Sequence, residues 1–215
     1  MALDFSWHDG ERVMFIGDAI TEDPQGYTRI IPAMVTARYP ERRIAYYPRG
    51  GGGNRIGDLL ERLERDILGD LRTPTWVSMS VGLNDVWDSG TGTPLERFQQ
   101  LYETMILRLL DWKSTVVCLT TTLKGEDLNS PDNQRLVGYN EAIRAIAFKY
   151  RVGVIDINRI FQTAIQQAQS VHAPFHYTDD GTRLNAYGHY LMTAAILGAL
   201  HYALDFEGNA HTGYS

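Results

Sequence analysis

Five short apolar runs, at 13–16, 43–47, 76–80, 115–119 and 152–155, alternate along this chain with helix-length segments. Those segments cover 27–38, 55–68, 94–110, 133–150, 158–168 and 186–204. This alternation constrains the fold more than any other feature. Strands separated by helices imply right-handed crossovers and a parallel sheet. Helical spacing is plain in Ile56, Leu59, Leu60, Leu63 and Ile67, and recurs in Leu191, Ala194, Ala195, Gly198 and His201. Asn185 is placed to cap the last helix. The expected fold class is α/β, a three-layer α/β/α arrangement around a five-stranded parallel sheet. The strand order 2-1-3-4-5 would put a site at the carboxyl ends of the first and third strands.

The 215 residues suit a single domain over 1–215, with 207–215 a frayed tail. Acidic residues outnumber basic ones, 26 to 20, for a net charge of −6. With no run of Lys or Arg, that balance argues against a nucleic-acid partner. Cys118 is the single cysteine. It rules out an internal disulfide and a cysteine zinc site, and its apolar neighbours predict a core strand thiol. No apolar stretch reaches the roughly 18 residues of a membrane span. The first nine residues lack the basic and apolar regions of a signal peptide. A cytoplasmic location with no membrane partner is therefore expected. No histidine pair has metal-ligand spacing on one helix face, so no metal and no cofactor are expected.

Four short blocks fall at the ends of predicted strands or before the last helix. They are Gly17-Asp18-Ala19, Arg49-Gly50-Gly51-Gly52-Gly53-Asn54, Gly82-Leu83-Asn84-Asp85 and Asp180-Gly181-Thr182-Arg183, with Gly188-His189 beyond. The first is a strand-to-helix turn of the kind on which hydrolases present a nucleophile. Each block is weak alone, and glycine runs and lone Asn residues also serve as plain turns and caps. Four in order carry more. Together they resemble the SGNH-hydrolase superfamily, the GDSL-type esterases and lipases, over nearly the whole chain. The stretches 15–21 and 82–87 look most like the family's carbohydrate acetylesterases, such as acetylxylan esterases.

That resemblance implies a flavodoxin-like SGNH-hydrolase fold and acyl transfer as the chemistry, most simply deacetylation of a carbohydrate or another small ester. In such a site a serine attacks the ester carbonyl, a histidine takes its proton and an aspartate orients the histidine. The family's serine falls on Ala19, and its Asp-x-x-His on Asp180 and Arg183. Its oxyanion donors fall on the Ala19 N–H, the Gly53 N–H and the Asn84 side chain. Asp18 and Asp85 flank the site, as turn residue and helix cap or in a direct role. Trp87 follows the Asn84 block directly, which favours a place in the pocket, where it could stack on a sugar ring, over simply covering the sheet edge. Phe175, Tyr177 and His176 are weighed for the pocket wall.

Two reactive positions depart from the pattern. Ala19 has no nucleophile. Arg183 stays protonated and cannot act as a general base. Pro48 is a third departure, where many relatives have asparagine. Losing one triad member costs on the order of 10⁶-fold in a serine hydrolase, roughly 8 kcal/mol. None of Thr21, Ser78, Ser80 or His189 restores a triad by its position. Serine-to-alanine is the change used to trap a bound ester, whereas independent departures at 19, 183 and 48 fit relaxed constraint. The chain is therefore expected to hydrolyse esters poorly or not at all. The alternative class is a binding module for a carboxylate or an acylated sugar, in which Arg183 supplies a fork for an anion. Asp180 could instead pair with Arg183 and neutralise it. The expected partner is a small-molecule ester or acylated carbohydrate. The family resemblance adds self-association into a homo-oligomer.

Overall fold

The computed structural model describes residues 7–69, 71–86, 92–171 and 175–202. Five strands form one parallel sheet in the order β2-β1-β3-β4-β5. They are β1 (Arg12–Gly17), β2 (Ala45–Gly50), β3 (Trp76–Ser80), β4 (Thr115–Leu119) and β5 (Gly153–Ile155). The helices are α1 (Ala19–Glu22), α2 (Tyr27–Arg38), α3 (Ile56–Arg62), α4 (Leu95–Asp111), α5 (Pro131–Tyr150), α6 (Ile157–Ser170) and α7 (Ala186–Ala199).

The period-2 alternation of a strand divides the sheet residues between two cores. Val13, Phe15, Val117 and Leu119 join one core with α2, α6 and α7. Met14, Ile16, Val116 and Cys118 join the other with α3, α4 and α5. This is the expected three-layer arrangement, with the expected strand order. Cys118 is fully buried, and burial pushes its thiol up to about 12. Among the described residues, no helix is long and apolar enough to cross a membrane.

Three elements depart from the sequence reading by more than a shift of one or two residues at an end, each for a local reason. β2 runs from Ala45 to Gly50 rather than over 43–47. It takes in Pro48, which an edge strand tolerates because one side of its ladder has no partner. The expected helix 55–68 is α3 followed by a π-helical turn, Leu63–Leu68. The wider turn keeps both Leu63 and Ile67 buried. The last helix stops at Ala199, with Leu200 as its C-cap, not at 204. His201 lies just beyond in the left-handed region (φ 55°), where a regular helix cannot continue.

Parallel strands place their carboxyl ends on one edge. Gly17 ends β1, Gly50 ends β2, and the block Gly82–Asp85 follows β3 directly. The three blocks are therefore brought side by side by topology. Gly50 shows how tightly: a Cβ there would lie 2.1 Å from the Glu22 backbone nitrogen. Only glycine lets β2 end against the first turn after β1.

Candidate active site

The turn after β1 is built from the core outward. Asp18 is the N-cap of α1, and its Oδ1 accepts the Ile20 N–H at 3.0 Å. Its carbonyl accepts from Thr21 (3.1 Å) and Glu22 (3.0 Å). Thr21 is fully buried and its hydroxyl lies 2.9 Å from the Tyr27 hydroxyl, so it serves packing. Ser78 and Ser80 are also buried, inside β3. Ala19, between these anchors, is exposed at the first position of α1.

A small concavity of about 150 Å³ opens over this turn. Its lining is Asp18, Ala19, Ile20, Asp23, Leu83, Asn84, Thr182, Arg183, Leu184 and His189. Four expected site residues thus share one pocket: Asp18, Ala19, Asn84 and Arg183. Asn84 is oriented by the next loop, its amide nitrogen donating to the Asn54 carbonyl at 3.0 Å. Asn54 is in turn held by Arg62, whose guanidinium donates to Asn54 Oδ1 at 2.5 Å and to the Gly50 carbonyl at 3.2 Å.

Gly53 and Asp180 stand outside that lining. Gly53 is exposed, and nothing lies within 4 Å of where its Cβ would be. Its φ of +72°, rather than a close approach, is what calls for glycine. Asp180 sits at the tip of a hairpin-like turn. Thr178 bridges Leu184, and the Asp179 N–H donates to the Arg183 carbonyl at 2.9 Å. Asp180 Oδ1 accepts the Arg183 N–H (2.8 Å), the Thr182 N–H (2.9 Å) and the Thr182 hydroxyl (2.9 Å). Those donors, the Arg183 N–H foremost, pull the carboxyl down to about 2. The link from Asp180 to Arg183 is therefore made at the backbone. Among the described residues, the exposed Arg183 guanidinium has no hydrogen-bond or ion-pair partner.

Asp18 behaves oppositely. Burial pushes its carboxyl up to about 7, with the nearby Asp85 charge adding to the effect. Asp85 is buried behind the pocket, where its oxygens lie 3.3 Å from the Ile56 N–H at the start of α3. Burial raises it to about 6. Asp85 is not among the residues facing the pocket.

His189 is the histidine of the Gly188-His189 pair. Its Nδ1 accepts the Tyr27 N–H at 3.3 Å, and its Nε2 lies 3.3 Å from Asp23 Oδ2. An Nδ1 that accepts carries no proton, so the neutral ring has its hydrogen on Nε2, directed to Asp23. Burial lowers its pKa, which favours that neutral form. Both ring nitrogens are thereby committed to the fold. Asp23 and His189 were missed as pocket residues. The one sequence signal for Asp23 is its spacing of a helical turn from Ala19. In the sequence Asn54 stands out only as the end of a glycine run.

Trp87 lies outside the described residues, as do His172, His211 and the tail 207–215. His176 is exposed and pairs with Glu126, its Nδ1 3.0 Å from Oε2. Among the described residues, no three His, Cys, Asp or Glu side chains converge as a metal site.

Comparison with known proteins gives a consistent picture. An acetylxylan esterase from Geobacillus stearothermophilus is 23% identical over 209 residues, covering 87% of this chain and 93% of the relative. An alpha/beta hydrolase enzyme from the metagenome of Lake Arreo, Spain, superposes with a TM-score of 0.81 at 23% identity, covering 91% of this chain and 97% of that one. A catalytic mutant of the Geobacillus esterase, with a serine changed to alanine, superposes with a TM-score of 0.82 at 22% identity, covering 93% and 98%. Further catalytic mutants of that esterase replace an aspartate, and a histidine three residues beyond it. The sequence profile of the GDSL-like Lipase/Acylhydrolase family matches residues 15–184. With its parallel sheet and its motif blocks gathered on one edge, the chain belongs to that family of ester hydrolases.

Proposed function

We propose that this protein holds the acyl group of an acylated carbohydrate, or a carboxylate, in the Ala19 pocket and hydrolyses esters very poorly or not at all. One observation carries the reading. Ala19 and Arg183, which stand at the proposed nucleophile and base positions, face the same pocket. One has no hydroxyl, and the other only donates. The serine, aspartate and histidine changed in the Geobacillus catalytic mutants support the assignment, because that aspartate and histidine have the spacing of Asp180 and Arg183.

In this reading the Ala19 N–H and the Asn84 amide donate to the acyl oxygen, as oxyanion donors do in an active relative. Asp180 holds the turn that presents Arg183. The Arg183 fork suits a carboxylate, the product of ester hydrolysis, better than a neutral ester. The Gly53 N–H belongs to the proposed donor set through the loop that carries Asn54. The pocket's 150 Å³ suits an acyl group or a small acid rather than a whole sugar.

Hydrolysis of short-chain aryl esters tests the first half, with turnover expected at the buffer background. Turnover comparable to an ordinary esterase would sink the idea and require another nucleophile. Calorimetric titration with acetate, a uronic acid and a neutral sugar tests the second half. Equal or absent binding of all three would count against an anion-holding pocket.

A further inference from the structure

A second concavity, of about 350 Å³, lies beside the same hairpin. It is lined by Glu126, Asp127, Ala168, Gln169, Phe175 and His176. Its walls come from the loop after β4, the last turns of α6 and the arm that leads into the hairpin. It shares no lining residue with the Ala19 pocket. The connection between them is the hairpin, which lends 175–176 to one and 182–184 to the other.

The walls are set in advance. Glu126 Oε1 accepts the Tyr177 N–H at 2.6 Å, and Oε2 meets His176 Nδ1 at 3.0 Å. The Gln169 amide nitrogen donates to the Glu126 carbonyl at 3.2 Å. Phe175 is braced edge-on by Tyr177 at 5.6 Å, and the Tyr187 ring lies tilted against it, 31° from parallel at 4.8 Å. Groups already ordered lose little freedom when a ligand arrives.

The chemistry of the lining narrows the occupant. Two carboxylates and no Lys or Arg disfavour phosphates and other anions. One aromatic ring and one alanine are too little apolar wall for an acyl chain. An aromatic ring beside an amide, a histidine and carboxylate acceptors suits a ligand with an apolar face and a rim of hydroxyls, as a pyranose has. The hairpin also sets the distance. Arg183 is hydrogen-bonded to Asp179 through the backbone, and His176 lies three residues back along that arm, up to about 10 Å at the rise of an extended chain. A single small acyl group does not span that gap, whereas a short oligosaccharide does.

We infer that the Glu126–Gln169–Phe175–His176 concavity is a saccharide subsite, taking sugar units of an oligosaccharide whose acyl group occupies the Ala19 pocket. The inference rests on the proposed function in placing the acyl group there. It adds a second, separate point of recognition and a preference for chain length.

Isothermal titration of the wild-type protein with a monoacetylated xylose and with acetylated xylotetraose tests it, alongside Phe175→Ala and Gln169→Ala. The tetraose is expected to bind about tenfold tighter than the monosaccharide. Each variant should shrink that advantage to less than about threefold and leave monosaccharide affinity unchanged. Tetraose binding that neither variant alters overturns the subsite and leaves the Ala19 reading standing. Tetraose binding that depends on Phe175, with no monosaccharide binding, upholds the subsite and defeats that reading. A variant that loses both ligands together, or a wild type that binds neither, overturns the subsite.

Discussion

Asp18 and Asp180 bracket the pocket from two very different settings. Asp18 is buried at the end of β1, and its carboxyl is raised to about 7. Asp180 is exposed on the hairpin before α7, and three donors hold it near 2. The same side chain is thus kept protonated by the core in one place and ionised by N–H groups in the other. The lesson is that the β1 turn is stabilised by what surrounds it, whereas the hairpin is stabilised by its own backbone. Changes at 19 and 183 therefore leave both supports in place.

The largest expected effect follows from that separation. Ala19→Ser combined with Arg183→His should raise aryl-ester turnover by on the order of 10³-fold or more over wild type, while each single change gains little, because triad members act as a unit. Steady-state hydrolysis assays on all four proteins provide the check. A double variant as silent as the parent would mean that the hairpin no longer aims position 183 at position 19.

The two aspartates should also give opposite pH signatures. From pH 4 to 7 the unfolded chain ionises position 18 while the native state keeps the proton. Native Asp18 then binds more protons, and stability falls as pH rises through that window, by up to about 4 kcal/mol. Buried Asp85, raised to about 6, adds with the same sign. Asp180 contributes stability above its ordinary value of 3.8, and that contribution is lost as pH falls toward 2. Urea unfolding between pH 4 and 8 should show a shallower decline for Asp18→Asn, which keeps the cap. An unchanged slope would mean that Asp18 ionises normally.

Two glycines probe the rigidity of the pocket edge. Gly50→Ala places a Cβ against the Glu22 backbone and should cost about 3 kcal/mol. Gly53→Ala meets open space and bears only the strain of its φ, about 1 kcal/mol. Denaturant midpoints of the two variants should rank in that order; the reverse would mean the β2 end can shift. The smallest effect is expected at the hairpin. Asp180→Ala removes an acceptor of three hydrogen bonds at an exposed turn, costing about 1 kcal/mol. Its clearer readout is weaker carboxylate binding by calorimetry, through a looser Arg183.

Legibility in the sequence followed how local each cause is. The strands Trp76–Ser80 and Thr115–Leu119 were read to the residue because both are short apolar runs within the sheet interior. β2 was read early because Pro48, Arg49 and Gly50 look like a turn until the strand is known to lie at the edge. In the pocket, Ala19 and Arg183 were legible as members of ordered motif blocks. Asp23 and His189 were not, because their contact spans 166 residues and no motif joins them. The brace from Arg62 through Asn54 to Asn84 was hidden because no motif joins its members, although they lie only 8 and 30 residues apart.

The sequence by itself determined the layered parallel architecture, because strand and helix periodicities are local and short crossovers leave few topologies. It also determined which chemical groups stand in the motif blocks. Only the tertiary structure decided which of them share a pocket, how Asp180 presents Arg183 through the backbone, and where Asp18 titrates. Those properties depend on burial and on contacts between distant segments, and a carboxyl's charge state is set by the atoms that replace its water.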